Sequence, residues 1–178
     1  SALSLFGDGK YAVFGLLLAY TYGYLAEDER CKKTAALSLE TIAISGAISF
    51  TLKHTTHKHR PSPGQTEDPR WDGPNLSRLH LSFPSGHSAA FALATVISHQ
   101  YRHKRAVRPI ACTIATLCAI SRVVSNSHWM SDPFLGGLIG YYTARFVITL
   151  HEKLTTRKIV LTPVVGSHFV GLTLSRRR

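Results

Sequence analysis

Five predominantly apolar runs alternate with polar clusters along the chain. The first, YAVFGLLLAYTYGYLA at 11–26, is bounded by Lys10 and EDER and predicts a helix. EDERCKKT predicts a polar connection, and AALSLETIAISGAISFTL predicts a second helix from about residue 35 to Leu52. Residues 61–83 are polar and rich in Pro and Gly, with Trp71 inside; loops of that length in a compact domain are functional or disordered. HSAAFALATVISHQY predicts a third helix, RHKRAVR a basic connection, and Pro109 the start of a fourth helix through Ile120. Asp132-Pro133 reads as an N-cap followed by proline at the first helical position, opening a last helix over FLGGLIGYYTARFVITL. From Lys158 on, short β-like runs around Gly166 predict a small hairpin or an extended tail. The expected fold is all-α, a compact bundle of five to six helices with a short β-like or extended C-terminal tail, in one domain over residues 1–178.

A membrane span needs about 20 apolar residues. The first run falls short, the second carries Glu40, the last carries Arg145, and mean hydropathy is only +0.03. Those features predict a soluble bundle with very apolar inner helices, with an integral membrane protein as the alternative. The chain starts at Ser1 with no recognisable signal peptide, so a processed or trimmed form is expected.

Charge narrows the partners. The formal net charge is +11, from 21 Lys+Arg against 10 Asp+Glu, which favours phosphate esters, anionic headgroups or nucleic acid. The cations gather at a few places and the terminal SRRR, without interleaved aromatic residues, so nucleic acid is not the expected partner. Cys31, Cys112 and Cys118 lack C-x-x-C spacing; the last two lie in an apolar run and read as small buried side chains.

Three stretches carry chemistry. KHTTHKHRP at 53–61 is compatible with an H-x-x-H-x-H metal site (His54, His57, His59) or with two cations, Lys53 and Arg60, near one face of a helix or its continuation. FPSGHS at 83–88 places Ser85 and Gly86 just before a helix, where unpaired amides and the helix dipole favour an anion, with His87 in the first turn. SRVVSNSHWMSD at 121–132 sets His128 four residues before Asp132. In a helical segment that carboxylate can accept the imidazole Nδ1 proton and leave Nε2 nucleophilic, with Arg122 as a further cation. Each stretch alone is also compatible with an ordinary cap or a surface histidine.

Together they are more specific. Lys53, six residues, Arg60-Pro61; Pro84-Ser85-Gly86-His87; then Ser121-Arg122, five residues, His128, three residues, Asp132: this ordered triplet resembles the signature of the type 2 phosphatidic acid phosphatase superfamily. That family also includes bacterial non-specific acid phosphatases and vanadium-dependent haloperoxidases. The resemblance implies a metal-independent phosphatase. It assigns His128 as nucleophile of a phosphohistidine intermediate, Asp132 as its orienting group and His87 as general acid and then base. Lys53, Arg60, Ser85, Gly86 and Arg122 would bind the phosphoryl oxygens, whose negative charge such donors match. No cofactor is implied, although vanadate or phosphate could occupy the pocket. His54, His57, Lys58 and His59 are then expected on a solvated or substrate-rim face, and His99 and His103 on the surface.

The implied substrate is a phosphorylated or pyrophosphorylated lipid such as phosphatidic acid, phosphatidylglycerol phosphate, a polyprenyl pyrophosphate or a lipid A phosphate. A broad-specificity acid phosphatase acting on small phosphoesters is the alternative, and a haloperoxidase is disfavoured by the short chain. Relatives of this kind imply an extracytoplasmic, periplasmic or membrane-associated location, with contact to a membrane surface.

Overall fold

The computed structural model describes residues 9–61, 70–74, 82–86, 88–156, 159–165 and 170–176. Within them the chain forms helices α1 (Gly9–Leu25), α2 (Glu29–Thr56), α3 (Ser88–Gln100), α4 (Val107–Val124) and α5 (Ser131–Thr156). A two-stranded antiparallel hairpin follows, β1 (Ile159–Val165) with β2 (Val170–Arg176), in the register Ile159 opposite Arg176. The architecture is the all-α bundle with a β-like tail that the apolar periodicity predicts.

α2 begins six residues earlier than predicted. Asp28 caps it, its Oδ1 accepting from the amides of Arg30 (3.0 Å) and Cys31 (2.9 Å), so the polar ERCKK segment is its first turns rather than a connection. α4 likewise starts at Val107, with Pro109 inside its first turn, where the missing N–H costs nothing. α5 starts at Ser131, so Asp132 lies within its first turn, and its carboxylate accepts from the amide behind it, Trp129 N, at 3.0 Å.

α3 is the central element, packed against α2, α4 and α5, while α1 lies on α2. One apolar cluster joins Leu37, Val96, Ala144, Val147 and Ile148, with Ile44 against it. A second joins Ala90, Ala94, Ala115 and Cys118. Cys118 is buried as expected, but Cys112 is exposed, because α4 turns that side away from the bundle. α3 and α5 approach closely where glycine permits. A Cβ on Gly140 would stand 2.2 Å from the Ser88 carbonyl oxygen, and one on Gly136 2.6 Å from that of Ser85. This contact brings the start of α5 onto the PSG loop.

The burial pattern is inverted relative to a water-soluble bundle. The inward face of α2 is small and polar, with Ser38, Thr41, Ser45 and Ser49 buried, while its outward face shows Ile48 and Phe50. Thr41 and Ser45 spend their hydroxyls on Leu37 and Ile42 carbonyls of their own helix. α1 exposes Phe14, Leu17, Leu18 and Leu25; α4 exposes Ile110, Ile114, Leu117 and Ile120; α5 exposes Phe134, Tyr142 and Phe146. Such faces suit lipid, in which small residues form the helix contacts. α2 and α4 are also long and apolar enough to cross a membrane, α2 reaching ~42 Å. The expectation of a soluble bundle rested partly on Glu40, and α5 answers that charge with His151, whose Nε2 is 2.7 Å from Glu40 Oε2. The chain is accordingly membrane-associated.

Candidate active site

α2 ends abruptly. His57 adopts the left-handed conformation (φ 45°, ψ 49°), and its amide donates to the Lys53 carbonyl at 3.0 Å. The chain therefore does not continue the helix to Arg60, and the two cations are not on one helical face. It turns back as an extended segment instead. Lys58 forms an isolated antiparallel bridge with Trp71, and the His59 amide donates to the Arg70 carbonyl at 2.9 Å. Lys53 stays half-buried in the last turn of α2, and Arg60 emerges exposed beyond the bridge.

The PSG loop is held from both sides. The Ser82 amide donates to the Lys58 carbonyl at 2.9 Å, and the Ser85 amide to the Asp132 carbonyl at 3.0 Å. The expectation that both Ser85 and Gly86 offer open amides is thus corrected for Ser85, whose N–H is used to dock α5. Ser85 is buried, whereas Gly86 is exposed and a Cβ there would meet nothing within 4 Å. His87 lies outside the described residues.

His128 is buried in the turn between α4 and α5, and its Nδ1–H donates to the Ser82 carbonyl at 2.8 Å. That bond fixes the tautomer with the lone pair on Nε2. Asp132 Oδ2 is 3.8 Å from the same nitrogen, in ion-pair range but a second acceptor rather than the nearest one. Burial pushes the His128 imidazole below its ordinary value; the charges of Lys53 and Arg60 push the same way, while the bonds to Asp132 and Ser82 pull against them. Arg122, in the last turn of α4, has a buried Nε with no hydrogen-bond partner among the described residues.

The fully buried Asp132 carboxylate spends its short bonds elsewhere. It accepts from Ser82 Oγ at 2.5 Å, from the Trp129 amide at 3.0 Å and from Lys58 Nζ at 2.6 Å. Lys58 is 3 % exposed, donates also to Ser131 Oγ at 2.9 Å, and sits among the rings of Trp71, Phe83 and Trp129 with centroids 5.1–5.9 Å away. Trp129 is itself fixed by its Nε1–H, which donates to the His59 carbonyl at 2.7 Å.

The solvated-face expectation for this stretch is therefore corrected at two positions. His57 and Lys58 are buried, because the left-handed turn at His57 folds them inward. His59 is half-buried and 2.6 Å from Asp72 Oδ2, and His54 Nδ1 lies 2.9 Å from the Phe50 carbonyl oxygen. Among the described residues, no three His, Cys, Asp or Glu side chains are grouped to hold a metal ion. Ser82 and Lys58 escaped the sequence reading. Lys58 had left a trace, as a cation surplus in a nine-residue stretch without an acid.

Three comparisons bear on this arrangement. The chain is 43% identical over 61 residues to a lipid A 1-phosphatase of Porphyromonas gingivalis, a match spanning 33% of this chain and only 14% of that protein. It is similar in structure to Aquifex aeolicus LpxE, with TM-score 0.64, 28% identity, and coverage of 83% of this chain and 82% of that one. It shares the fold of a transmembrane PAP2-type phosphatidylglycerolphosphate phosphatase of Bacillus subtilis, with TM-score 0.66, 22% identity, and coverage of 86% and 75%. The model of the PAP2 superfamily matches residues 34–156, from the first buried turn of α2 to the last residue of α5, and the chain belongs to that superfamily.

Proposed function

We propose that this chain is a membrane-embedded, metal-independent phosphatase that removes a phosphate or pyrophosphate group from a lipid-linked substrate through a phosphohistidine at His128. The observation that carries the reading is the buried His128, held by the Ser82 carbonyl with Nε2 as its nucleophilic nitrogen and influenced by the charges of Lys53 and Arg60. The relatives whose names specify a lipid phosphate support the substrate class. Arg122 supports it too: a buried guanidinium nitrogen without a partner costs about 1–3 kcal/mol, which a phosphoryl oxygen would recover.

In the first step His128 Nε2 attacks phosphorus, the bond to the ester oxygen breaks, and His87 gives that oxygen its proton. In the second, water loses a proton to His87 and attacks phosphorus, the P–N bond breaks, and inorganic phosphate leaves with the electron pair returned to His128. Lys53, Arg60 and Arg122 hold the equatorial oxygens throughout, and the Ser85 hydroxyl and the Gly86 amide complete the cradle. Charge placement supports an extracytoplasmic site. Arg30, Lys32 and Lys33 at the start of α2, and Arg102, Lys104, Arg105 and Arg108 around the α3–α4 connection, gather at the opposite end of the bundle, as cytoplasmic loops do.

The test is hydrolysis in detergent with EDTA present, on p-nitrophenyl phosphate, phosphatidic acid, phosphatidylglycerol phosphate, undecaprenyl pyrophosphate and lipid A. Rapid quenching should trap an acid-labile phosphoprotein in the wild type and none in His128→Ala. Turnover at the wild-type rate in His128→Ala would remove His128 from the mechanism.

A further inference from the structure

At the end of the bundle away from His128, a groove of about 510 Å³ opens between α3, α4 and α5. Arg102, Lys104, Arg105, Arg108 and Arg145 line it together with Phe91, Ala94 and Tyr141. Among the described residues none of these five cations lies within ion-pair distance of a carboxylate; Lys104 rests over the Tyr101 ring at 5.9 Å. The nearby Glu152 is engaged with His99, Oε1 to Nε2, at 3.3 Å.

Loop cations at a cytoplasmic surface explain themselves through topology. Arg145 does not. It interrupts the apolar run of α5, exposed beside Tyr142 and Phe146. A guanidinium within an apolar membrane helix is costly unless a counter-charge meets it. The groove supplies the geometry for one, since Arg145 and Arg108 both line it.

We infer that this groove is a second anion site, separate from the catalytic clamp, that holds the phosphate headgroup of an anionic lipid. Basic pockets between membrane helices on the cytoplasmic side take such headgroups. The inference rests on the membrane orientation proposed above but not on turnover.

The experiment is native mass spectrometry of the detergent-solubilised full chain with equal amounts of dioleoyl-phosphatidylglycerol and dioleoyl-phosphatidylcholine, in vanadate to occupy the catalytic clamp. The expected result is retention of phosphatidylglycerol over phosphatidylcholine by about tenfold, in the wild type and in His128→Ala alike. Arg108→Gln/Arg145→Gln should lower that preference to about twofold while p-nitrophenyl phosphate hydrolysis persists. Should that pair fail to fold, Arg102→Gln/Arg105→Gln, on exposed connecting residues, should weaken it by severalfold. Equal retention in the charge variants and the wild type overturns the site. Loss of the lipid relative to a control without vanadate places it in the catalytic clamp and overturns the site as well. Displacement of the lipid by millimolar inorganic phosphate assigns the groove to a soluble anion and overturns the lipid reading. Because retention is read in inactive His128→Ala too, a failed phosphatase assay and a failed lipid site are told apart.

Discussion

Replacing Lys58 by methionine removes a buried cation while keeping most of its volume among the Trp71, Phe83 and Trp129 rings. The Asp132 carboxylate, 0 % exposed, then loses its 2.6 Å ion pair and keeps three donors, Ser82 Oγ, the Trp129 amide and, at 3.3 Å, Ser131 Oγ. Removing one partner of a buried pair costs about 3–5 kcal/mol. The three surviving hydrogen bonds put this case at the low end, about 3 kcal/mol, or roughly a hundredfold in the unfolding constant. Asp132→Asn alone should be destabilising for the mirror-image reason, since it strands the Lys58 ammonium. With both replaced, neither charge remains, so the double variant should be more stable than the two single losses predict, by at least about 1.5 kcal/mol.

The assay is unfolding in mixed micelles of rising dodecyl sulfate fraction, followed by helical circular dichroism, because both tryptophans border Lys58 and their fluorescence would report the substitution itself. A second readout separates positioning from bulk stability. Without Lys58, the Asp132 charge acts on His128 uncompensated, so the acid limb of kcat/KM should move to higher pH. A cycle that is additive within about 0.5 kcal/mol, together with an unmoved acid limb, refutes the argument that Lys58 governs Asp132.

The held-down His128 imidazole gives a signed pH prediction: in the proposed mechanism neutral His128 is the nucleophile, so the acid limb of kcat/KM should lie below about 6.5, the ordinary histidine value. Stability should follow the same linkage, with His128's contribution present above the unfolded value and lost as pH falls through the window beneath it. Removing one depressing charge by Arg60→Gln should shift that limb upward, and a normalised pH–rate profile checks it. Gly140→Ala should cost about 2–3 kcal/mol, because its Cβ would meet the Ser88 carbonyl, whereas Gly46→Ala, with nothing within 4 Å, should gain up to about 1 kcal/mol from helix propensity; the same unfolding assay reads both. Asp132→Asn should lower kcat, with helical content retained.

Apolar periodicity located every helix, because a 3.6-residue pattern survives whichever solvent the outer face meets. It failed to say which face was outer. In α2 the inward side mixes Ala35, Leu37 and Ile42 with a serine and threonine stripe, and only contacts with α3 and α5 reveal that large apolar residues such as Ile48 and Phe50 are exposed. Helix starts were misplaced for a local reason. Asp28 as a cap and Pro109 as a first-turn residue are each legible signals, yet a polar first turn resembles a loop until its amides are seen to be satisfied.

The three motifs were legible because they recur in order and at fixed spacing, but the partners that hold their side chains were not. Lys58 lies between two motif cations, and at helical spacing it would point into solvent. The left-handed turn at His57 reverses the chain and sends Lys58 to the Asp132 carboxylate. Ser82 acts on His128 through its main-chain carbonyl, which every residue type possesses, so its identity encodes only the hydroxyl that reaches Asp132. If Lys58 and Ser82 hold Asp132, then Asp132 works mainly as a charge fixed behind His128, and the tautomer is set by the backbone. Asp132→Asn should accordingly leave the Nδ1–H tautomer of His128 in place, readable from its ring-nitrogen NMR shifts, while the rate falls. An inverted tautomer in that variant would return the orienting role to the carboxylate.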